Sequence, residues 1–348
     1  MRYSHVCLHT FGYALPPRMV SSEDLELRLA SVYERLKLPL GRLEMMSGIK
    51  ERRFWEPGTR PSQGAILAGR QVMEQADLDA GQIDCLIFTS VSRDMMEPAT
   101  AAFVHDGLGL STNCLLFDLS NACLGFLDGM VVLANMIELG QVKNGLLVAG
   151  ETAEELVEST IEALLADTTL TRKTIKPAFA SLTIGSGSVA LYKCRAEPEM
   201  TQPRLIHGCW RANTTHSNLC QGSQQGGATT IMNTDSEALL RRGVETAVMT
   251  WQAFSAEPGW QPADIDNYFC HQVGSAHARL LFESLGLDTA KNFETLSWLG
   301  NVGSVSAPIT LAMAIEQKVF RPGQRGAILG IGSGINCLML GIDWGKSS

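Results

Sequence analysis

The stretch QIDCLIFTSVS, residues 82–92, contains an unbroken apolar run that follows polar residues and precedes small ones. A similar stretch, DIDNYFCHQVGS, occupies residues 264–275, about 180 residues further along the chain. Each of them follows a segment with helical character and precedes a helix that ends in LGL. Because the order and the spacing of these features both recur, the sequence predicts a duplicated strand–helix unit. The alternative is that two ordinary units resemble each other by chance.

Other apolar runs extend the same pattern along the chain. They have the length and aliphatic content of buried strands, and helical stretches separate them. The runs are CLLFDLS (114–120), GLLVAG (145–150) and GAILGIG (326–332), and the helical stretches cover 64–76 and 124–140. This alternation predicts an α/β fold whose sheets are covered by helices on both faces.

Polar segments suggest how the chain is divided. A polar, proline-containing segment at 192–205 predicts a boundary, so we expect an N-terminal half over residues 1–195 and a C-terminal half over residues 196–348. Residues 152–178 are charged and helix-prone, which indicates an insertion in the first half. Residues 211–230 are rich in Gly, Ser, Thr and Gln, and long connections of this kind often form lids or channel walls in enzymes.

Composition argues against several classes of protein. The 348 residues are 45% hydrophobic and 18% charged with a net charge of −8, which is typical of a well-buried globular protein and unfavourable for nonspecific nucleic-acid binding. No apolar run reaches the roughly 20 residues of a membrane helix, and we expect no signal peptide. The nine cysteines are scattered without a C-x-x-C pair, which fits reduced thiols in a cytoplasmic protein. No metal site is expected.

One cysteine has a distinctive setting in SNACLGFLDGM, residues 120–130. An apolar run ends near Ser120 and a helical pattern begins at about Leu124, so we expect Cys123 at a helix N-terminus. Free N–H groups and the helix dipole favour a thiolate there, and small neighbours leave room around the sulfur. Cys123 is therefore a candidate nucleophile, although a buried cysteine commonly acts only as a small apolar side chain.

A thiol nucleophile needs an imidazole and an orienting amide near it. His271 follows the apolar run of the second repeat, and Asn301 lies between glycines in WLGNVGSVSAPI, residues 298–309. The glycines of GIGSGINC, residues 330–337, let backbone N–H groups approach a ligand. Taken singly, His271 could be an ordinary hydrogen-bonded residue, Asn301 a turn residue, and the glycine-rich stretch a tight turn between strands.

Taken together, these stretches resemble the ketoacyl-ACP synthase III branch of the thiolase superfamily. The matching stretches run in family order along nearly the whole chain: SGIKERRFW (47–55), NACLGF (121–126), LTIGSGSVA (182–190), CHQVGSAHARL (270–280), GNVGSVSAPITLA (300–312) and GIGSGIN (330–336). The resemblance implies a five-layered α-β-α-β-α thiolase fold with two similar halves, and a homodimer. It also implies a catalytic triad of Cys123, His271 and Asn301, and an oxyanion hole formed by the backbone N–H groups of Cys123 and Ser333.

Two stretches narrow the resemblance to the OleA-type thiolases of long-chain olefin biosynthesis, TSVSRDMMEPATAAFV (89–104) and LFDLSNACLGFLDGM (116–130). Enzymes of this type join two fatty acyl thioesters head to head in a non-decarboxylative Claisen condensation. The resemblance implies that acyl-CoA is the substrate and that Glu97 is the general base, and it suggests a reductase and a β-lactone-forming enzyme as downstream partners. By local sequence alone, Glu97 would be an acidic residue that favours the start of a helix.

These residue types suit the chemistry of such a condensation. A cysteine thioester holds one acyl group as an electrophile, and the second acyl group must lose a proton from the carbon beside its carbonyl. A carboxylate in a dry pocket has a raised pKa suited to that proton, and His271 and Asn301 can donate hydrogen bonds to the enolate oxygen. No cofactor is needed beyond the acyl-CoA substrate. Two apolar tunnels are required, and we expect their walls among residues 102–137 and 152–182.

Some positions depart from the family pattern. The family's housekeeping members place an aromatic residue and an arginine against the adenine of coenzyme A, but those positions hold Arg42 and Met46 in this chain. The residues that contact coenzyme A therefore stay unassigned. Arg52, Arg53 and Trp55 could lie near a channel mouth, or they could serve only in packing and surface ion pairs.

Three other functions are compatible with these residues. A decarboxylating 3-oxoacyl-ACP synthase or an acyltransferase that uses a malonyl thioester would not need Glu97 as a base. A non-catalytic subunit that stabilises a related partner would leave Cys123 unacylated. Simple hydrolysis of the acyl-enzyme would release free fatty acid without condensation.

Overall fold

The computed structural model of the chain describes residues 1–225, 229–257 and 259–345. The strands in this part are β1 (Val6–Ala14), β2 (Arg18–Ser21), β3 (Glu51–Phe54), β4 (Cys85–Phe88), β5 (Leu115–Asp118), β6 (Asn144–Glu151), β7 (Gly187–Arg195), β8 (Arg204–Ala212), β9 (Cys220–Gln225), β10 (Thr229–Thr234), β11 (Asn267–Cys270), β12 (Arg325–Gly332) and β13 (Asn336–Asp343). The α-helices are α1 (Ser22–Arg28), α2 (Ala30–Leu36), α3 (Arg42–Ser47), α4 (Pro61–Gln75), α5 (Thr100–Leu108), α6 (Gly125–Glu138), α7 (Glu154–Ala166), α8 (Ser236–Ala256), α9 (Ser275–Leu285), α10 (Leu296–Leu299) and α11 (Ser306–Glu316).

Nine of these strands form one hydrogen-bonded sheet in the order β11-β12-β13-β8-β1-β7-β6-β4-β5. In the first half, β5, β4 and β6 are parallel, and β7 and β1 follow as antiparallel strands. In the second half, β11 and β12 are parallel, and β13 and β8 follow as antiparallel strands. The repeated sequence lies on β4 and β11, which hold equivalent places in the two halves. The predicted duplication is therefore confirmed.

The two halves meet along a narrow seam between β1 and β8. Cys7 is the residue of β1 that lies opposite Arg204 of β8, and the N–H of Leu8 donates to the carbonyl of Pro203 at 2.8 Å. The proposed division at residues 195/196 falls in the connection between β7 and β8. That division stays a prediction, because one hydrophobic core draws side chains from both halves.

Two central helices occupy the space between the halves of the sheet. Helix α11 is apolar around nearly its whole circumference, as a helix covered on all sides must be. Helix α6 packs on β6, β7, β1 and β13, and α11 packs on β11, β12, β1 and β7. Helices α4 and α5 cover the outer face of the first half, and α8, packed against α9, covers that of the second. These layers confirm the predicted α-β-α-β-α thiolase fold.

The two polar segments singled out in the sequence have regular structure of their own. Residues 152–178 contain α7, whose apolar side packs with the N-terminal helices around Val157, Ile161 and Ile175. Residues 211–230 include β9 and the start of β10, which pair as a separate two-stranded sheet. Residues 226–228 of that segment lie outside the described residues. Among the described helices, none is both long and apolar enough to cross a membrane.

One charged side chain lies in the core near α6. Lys193 on β7 is fully buried, and its Nζ donates to the carbonyl of Met130 within α6 at 2.6 Å. Burial lowers the pKa of this ammonium group to about 7. Between that value and the ordinary pKa of a lysine, the folded protein holds Lys193 uncharged while the unfolded chain holds it protonated.

We therefore expect the stability of the protein to rise with pH above about 7, because the unfolded state binds the additional proton in this range. The Lys193→Met substitution should remove that rise. Its effect on the free energy of unfolding should therefore be more favourable at pH 6.5 than at pH 8.5, by roughly 2 kcal/mol. Thermal unfolding at both pH values measures the difference, with the exposed Lys143→Met as the matched control. An equal effect of Lys193→Met at the two pH values would contradict this account.

Candidate active site

The loop that carries Cys123 is held tightly at both of its ends. At its start, the carboxylate of Asp118 accepts the backbone N–H groups of Thr100 and Ala101, both at 2.8 Å. Just before the cysteine, Ala122 has a φ of +47°, a left-handed conformation that is uncommon for a residue with a side chain. Helix α6 then begins at Gly125, where a Cβ atom would lie 2.7 Å from the carbonyl oxygen of Thr89. Glycine is therefore required for this close approach.

The environment of Cys123 keeps its thiol protonated. Burial raises the pKa of Cys123 to about 12, and the nearby Cys220 thiol and Glu151 carboxylate add to the effect. Our expectation that the helix N-terminus favours a resting thiolate is therefore wrong, because the cost of burying the anion exceeds the benefit of the dipole. A nucleophile in this setting needs a base that removes its proton as it attacks.

His271 has the protonation state that such a base requires. It directly follows β11, and its backbone N–H donates to the carbonyl of Leu329 on β12 at 3.0 Å. Burial lowers the pKa of His271 to about 4, and the neighbouring His277 contributes. The Nδ1 atom of His271 has no hydrogen-bond partner among the described residues. The imidazole is thus neutral and able to accept a proton.

Asn301 lies in a turn whose backbone and side chain are both fixed. Its N–H donates to the carbonyl of Thr183 at 3.0 Å, and its own carbonyl accepts the N–H of Gly185 at 2.8 Å. The side-chain Oδ1 accepts the N–H of Gly303 at 3.1 Å. With Oδ1 occupied, the Nδ2 group of this 7% exposed side chain is left to donate elsewhere. Asn301 is a turn residue, and it also presents a hydrogen-bond donor.

Shared contacts bring these three residues to the same end of the sheet. The side chain of Leu124, next to Cys123, packs onto Gly330 and Gly332 of β12, the strand whose Leu329 carbonyl binds the His271 N–H. The hydroxyl of Ser304, in the Asn301 turn, lies 2.8 Å from the Thr89 carbonyl that Gly125 also approaches. Strands β4 and β12 thus locate Cys123, His271 and Asn301 relative to one another.

The glycine-rich turn at Ser333 is joined to the cysteine loop by side-chain amides. The Nδ2 group of Asn336 lies 3.1 Å from the carbonyl of Ser333 and 3.3 Å from Oδ1 of Asn121. Asn121 in turn donates to the carboxylate of Asp128 on α6 at 2.7 Å. Sequence reasoning missed this link, although Asn121 and Asn336 lie inside the quoted motifs. The oxyanion role of the Cys123 and Ser333 backbone N–H groups stays a prediction.

Glu97 does not lie in a dry pocket within a single chain. It is exposed on the loop between β4 and α5, beside Met96, which is 92% exposed. Its alternative interpretation as the acidic residue of a helix start is wrong, because the first turn of α5 contains no acidic residue. The carboxylate at that N-terminus belongs to Asp118. The role of Glu97 as a base therefore stays a prediction.

A second glutamate, which the sequence analysis did not single out, is buried close to the cysteine. Glu151 is the last residue of β6 and is only 5% exposed. Its carboxylate lies within hydrogen-bond distance of groups from two loops, one containing Ser92 and the other containing Ser304. The only available signal was an acidic residue directly after the apolar run GLLVAG.

Arg52 and Trp55, which the sequence placed either near a channel mouth or in packing, are both buried packing residues. Arg52 is fully buried, and its guanidinium donates to the hydroxyl of Ser22 at 3.0 Å. Trp55 is also buried, and its indole N–H donates to the carbonyl of Glu151 at 3.2 Å. Arg42 stacks over the ring of Phe179. In the described part of the chain, no group of three or more His, Cys, Asp or Glu residues could hold a metal ion.

Comparison with known proteins gives consistent matches over the whole chain. A family model described as 3-oxoacyl-[acyl-carrier-protein] synthase III matches residues 117–169, and its C-terminal counterpart matches residues 255–344. An acyl-CoA:acyl-CoA alkyltransferase of Shewanella oneidensis is 40% identical over 99% of this chain and 100% of its own length. A protein of the same name from Xanthomonas campestris is 35% identical over 99% of this chain and 100% of its own length.

Solved structures of Xanthomonas campestris OleA agree with the fold. A cysteine-to-alanine variant matches with a TM-score of 0.93 at 34% identity and covers 99% of this chain and 98% of that one. A cysteine-to-serine variant with bound lauric acid and lauroyl-CoA has the same TM-score and identity, over 98% of this chain and 100% of that one.

The contact between Gly125 and Thr89 can be tested directly. A Gly125→Ala substitution places a methyl group against a backbone carbonyl that cannot turn away, so it should cost about 1–3 kcal/mol of stability despite the better helix propensity of alanine. Because α6 would shift, acylation of Cys123 should slow by on the order of 100-fold. Thermal unfolding and mass spectrometry of the acyl-enzyme measure the two effects. Gly81→Ala, at a site with open space around it, is the control, and equal behaviour of the two variants would refute the argument.

Proposed function

Because this chain belongs to the family of acyl-CoA:acyl-CoA alkyltransferases, we propose that it joins two long-chain acyl-CoA thioesters head to head without decarboxylation. The product is a 2-alkyl-3-oxoacyl thioester, or the β-keto acid after hydrolysis. The observation that carries this proposal is the half-buried pair of the Cys123 thiol and the His271 imidazole, which β4 and β12 bring to the same end of the sheet as the side-chain amide of Asn301. A pair of this kind can form an acyl-cysteine.

The first half-reaction forms the acyl-enzyme. Cys123 attacks the thioester carbonyl, and His271 takes the thiol proton during the attack and passes it to the departing coenzyme A thiolate. Neither group is charged before the attack, which suits a site that excludes water. The backbone N–H groups of Cys123 and Ser333 would stabilise the oxygen of the tetrahedral intermediate.

The second half-reaction joins the two acyl groups. Glu97 would take a proton from the α-carbon of the second acyl-CoA, and His271 and Asn301 would donate hydrogen bonds to the enolate oxygen. The enolate carbon attacks the acyl-cysteine carbonyl and forms the carbon–carbon bond. Cys123 leaves as a thiolate and recovers a proton, which balances the one taken by Glu97.

A second copy of the chain would bury Glu97, which is exposed to solvent in the single chain. The loop that carries Glu97 exposes Val91, Met95 and Met96, and it lies next to β5, the free edge strand of the sheet. An exposed strand edge beside apolar side chains is a surface that proteins usually cover. We therefore propose a homodimer through this face, in which burial raises the pKa of Glu97 toward that of a useful base.

The acyl-chain tunnels and the cellular setting are further parts of the proposal. Many of the residues expected to line the tunnels pack in hydrophobic clusters, among them Leu133 and Ile137 of α6 and Val157 and Ile161 of α7. Apolar walls of this kind would accept long acyl chains once side chains move apart. All nine cysteines are free thiols, which favours the cytoplasm. Downstream enzymes of an olefin or β-lactone pathway would be the partners.

A decarboxylating condensation is the second candidate, and two observations favour it. Glu97 is exposed in the single chain, whereas a malonyl thioester needs no base because loss of CO2 generates the carbanion. The matching family models also describe 3-oxoacyl-[acyl-carrier-protein] synthase III. The two candidates differ in their need for Glu97 and for a malonyl donor.

Incubation of the purified protein with myristoyl-CoA alone should yield a β-keto acid or the derived ketone built from two acyl chains. Mass spectrometry of the products identifies it. Cys123→Ala should abolish acylation and product, because no acyl-enzyme can form. Glu97→Ala should keep the acylated Cys123 and lose the condensed product.

Turnover that appears only after addition of malonyl thioester, with release of CO2, would instead place the protein in the decarboxylating class. A protein whose Cys123 never becomes acylated would be a non-catalytic subunit. Free fatty acid as the sole product would indicate hydrolysis of the acyl-enzyme.

A charge placed on the proposed dimer face should separate assembly from acylation. Met96→Lys should give a monomer in light scattering, because burial of an unpaired ammonium group is costly. Condensation should fall at least about tenfold, whereas acylation of Cys123 should persist. Met249→Lys, on the exposed side of α8, is the matched control and should leave both assembly and product formation unchanged. A fully active monomer would exclude the role of the second copy.

A further inference from the structure

The carboxylate of Glu151 is buried without a cation. It lies at the end of β6 and is 5% exposed. Among the described residues, no Lys, Arg or His forms an ion pair with it. A buried anion of this kind persists only when hydrogen-bond donors replace the water it has lost. The donors around Glu151 come from two separate loops.

One set of donors belongs to the loop that carries Glu97. The N–H of Val91 donates to Oε1 of Glu151 at 3.0 Å, and the N–H of Ser92 donates to Oε2 at 3.1 Å. The hydroxyl of Ser92 also donates to Oε2, at 2.8 Å. Three hydrogen bonds to one charged group therefore hold the start of this loop.

The other donors belong to the turn that carries Asn301. The N–H of Ser304 donates to Oε1 of Glu151 at 3.2 Å, and its hydroxyl oxygen lies 2.9 Å from the same atom. A Cβ atom on Gly303 would lie 2.9 Å from Oε1, so this turn packs directly against the carboxylate. The N–H of Gly303 in turn fixes the Asn301 side chain.

We propose that Glu151 is a positioning residue whose carboxylate couples the start of the loop bearing Glu97 to the turn bearing Asn301, and so fixes both segments against one buried anchor. This inference rests on the proposed function. Glu151 itself cannot serve as the base, because backbone N–H groups and hydroxyls occupy both of its oxygens. Its location at the end of a core strand gives both loops a rigid common anchor.

The charge of Glu151 has a second effect, on Cys123. Its carboxylate adds to the burial that raises the pKa of the Cys123 thiol. Removal of the charge should therefore shift the pH profile of Cys123 alkylation to lower pH. This shift reports the charge of Glu151 beside Cys123, separately from its hydrogen bonds to the two loops.

Glu151→Gln tests the proposal with little change of shape. The amide would turn an NH2 group either toward Ser92 or toward Val91 and Ser304 together, so in both orientations the Glu97 loop loses part of its anchor. With myristoyl-CoA, condensation should fall by on the order of 100-fold, and free myristate should become the main product. The alkylation profile of Cys123, followed with iodoacetamide by mass spectrometry of its peptide, should move to lower pH. Glu155→Gln, an exposed glutamate on α7, is the matched control.

Two further variants separate the two loops and remain informative if Glu151→Gln does not fold. Ser92→Ala removes a donor from the Glu97 loop, so it should keep acylation of Cys123 and slow condensation about tenfold. Ser304→Ala removes a donor from the Asn301 turn, so it should slow both steps. Equal effects of the two variants on acylation would overturn the coupling.

Wild-type condensation by Glu151→Gln would overturn the proposal. A loss of condensation that only parallels the loss of thermal stability, with acylation of Cys123 reduced to the same extent, would also overturn it in favour of a purely structural role. If the wild-type protein forms no condensed product, the proposed function fails. The alkylation profile then still decides whether Glu151 acts on Cys123, since that measurement needs no turnover.

Discussion

The close packing of the N-terminus of α6 between the two halves of the sheet is the constraint on which the site depends. At its N-terminus, Gly125 approaches the Thr89 carbonyl so closely that a Cβ atom would lie 2.7 Å away. On its other side, Leu124 packs onto Gly330 and Gly332 of β12. Cys123 is thus held between one strand of each half, and each strand also locates another of the predicted site residues. Small shifts of this helix would separate Cys123 from its partners, which is why glycine occurs at these contacts.

Burial decides the resting state of the reactive groups. A helix dipole is worth about 0.3–1 kcal/mol, less than one pKa unit at roughly 1.4 kcal/mol each. Burial has the larger effect, since it raises the pKa of Cys123 to about 12 and lowers that of His271 to about 4. These shifts favour neutral forms of both groups, so in the proposed reaction proton transfer accompanies the attack.

The single chain presents an incomplete version of the proposed chemistry. Cys123 and His271 are half-buried, whereas Glu97 lies on an exposed loop beside apolar residues and a free strand edge. The buried carboxylate of Glu151 accepts hydrogen bonds from that loop and from the turn that carries Asn301, and so links the two segments. The loop of the proposed base thus has a defined anchor, and the proposed dimer would provide its dry environment. Assembly and catalysis would be linked in this arrangement.

The sequence by itself determined the architecture, because the repeated strand–helix pattern and the order of motifs reflect local periodicity and chain order. It also predicted Cys123, His271 and Asn301 as site residues, mainly through the order of the family motifs, and their catalytic roles stay a prediction. Only the tertiary structure decided their protonation, because burial depends on neighbours far apart in the chain. For the same reason, the sequence did not reveal Glu151 or the amides of Asn121 and Asn336, whose partners come from distant loops. The exposure of Glu97 likewise follows from the folded surface, which no local pattern records.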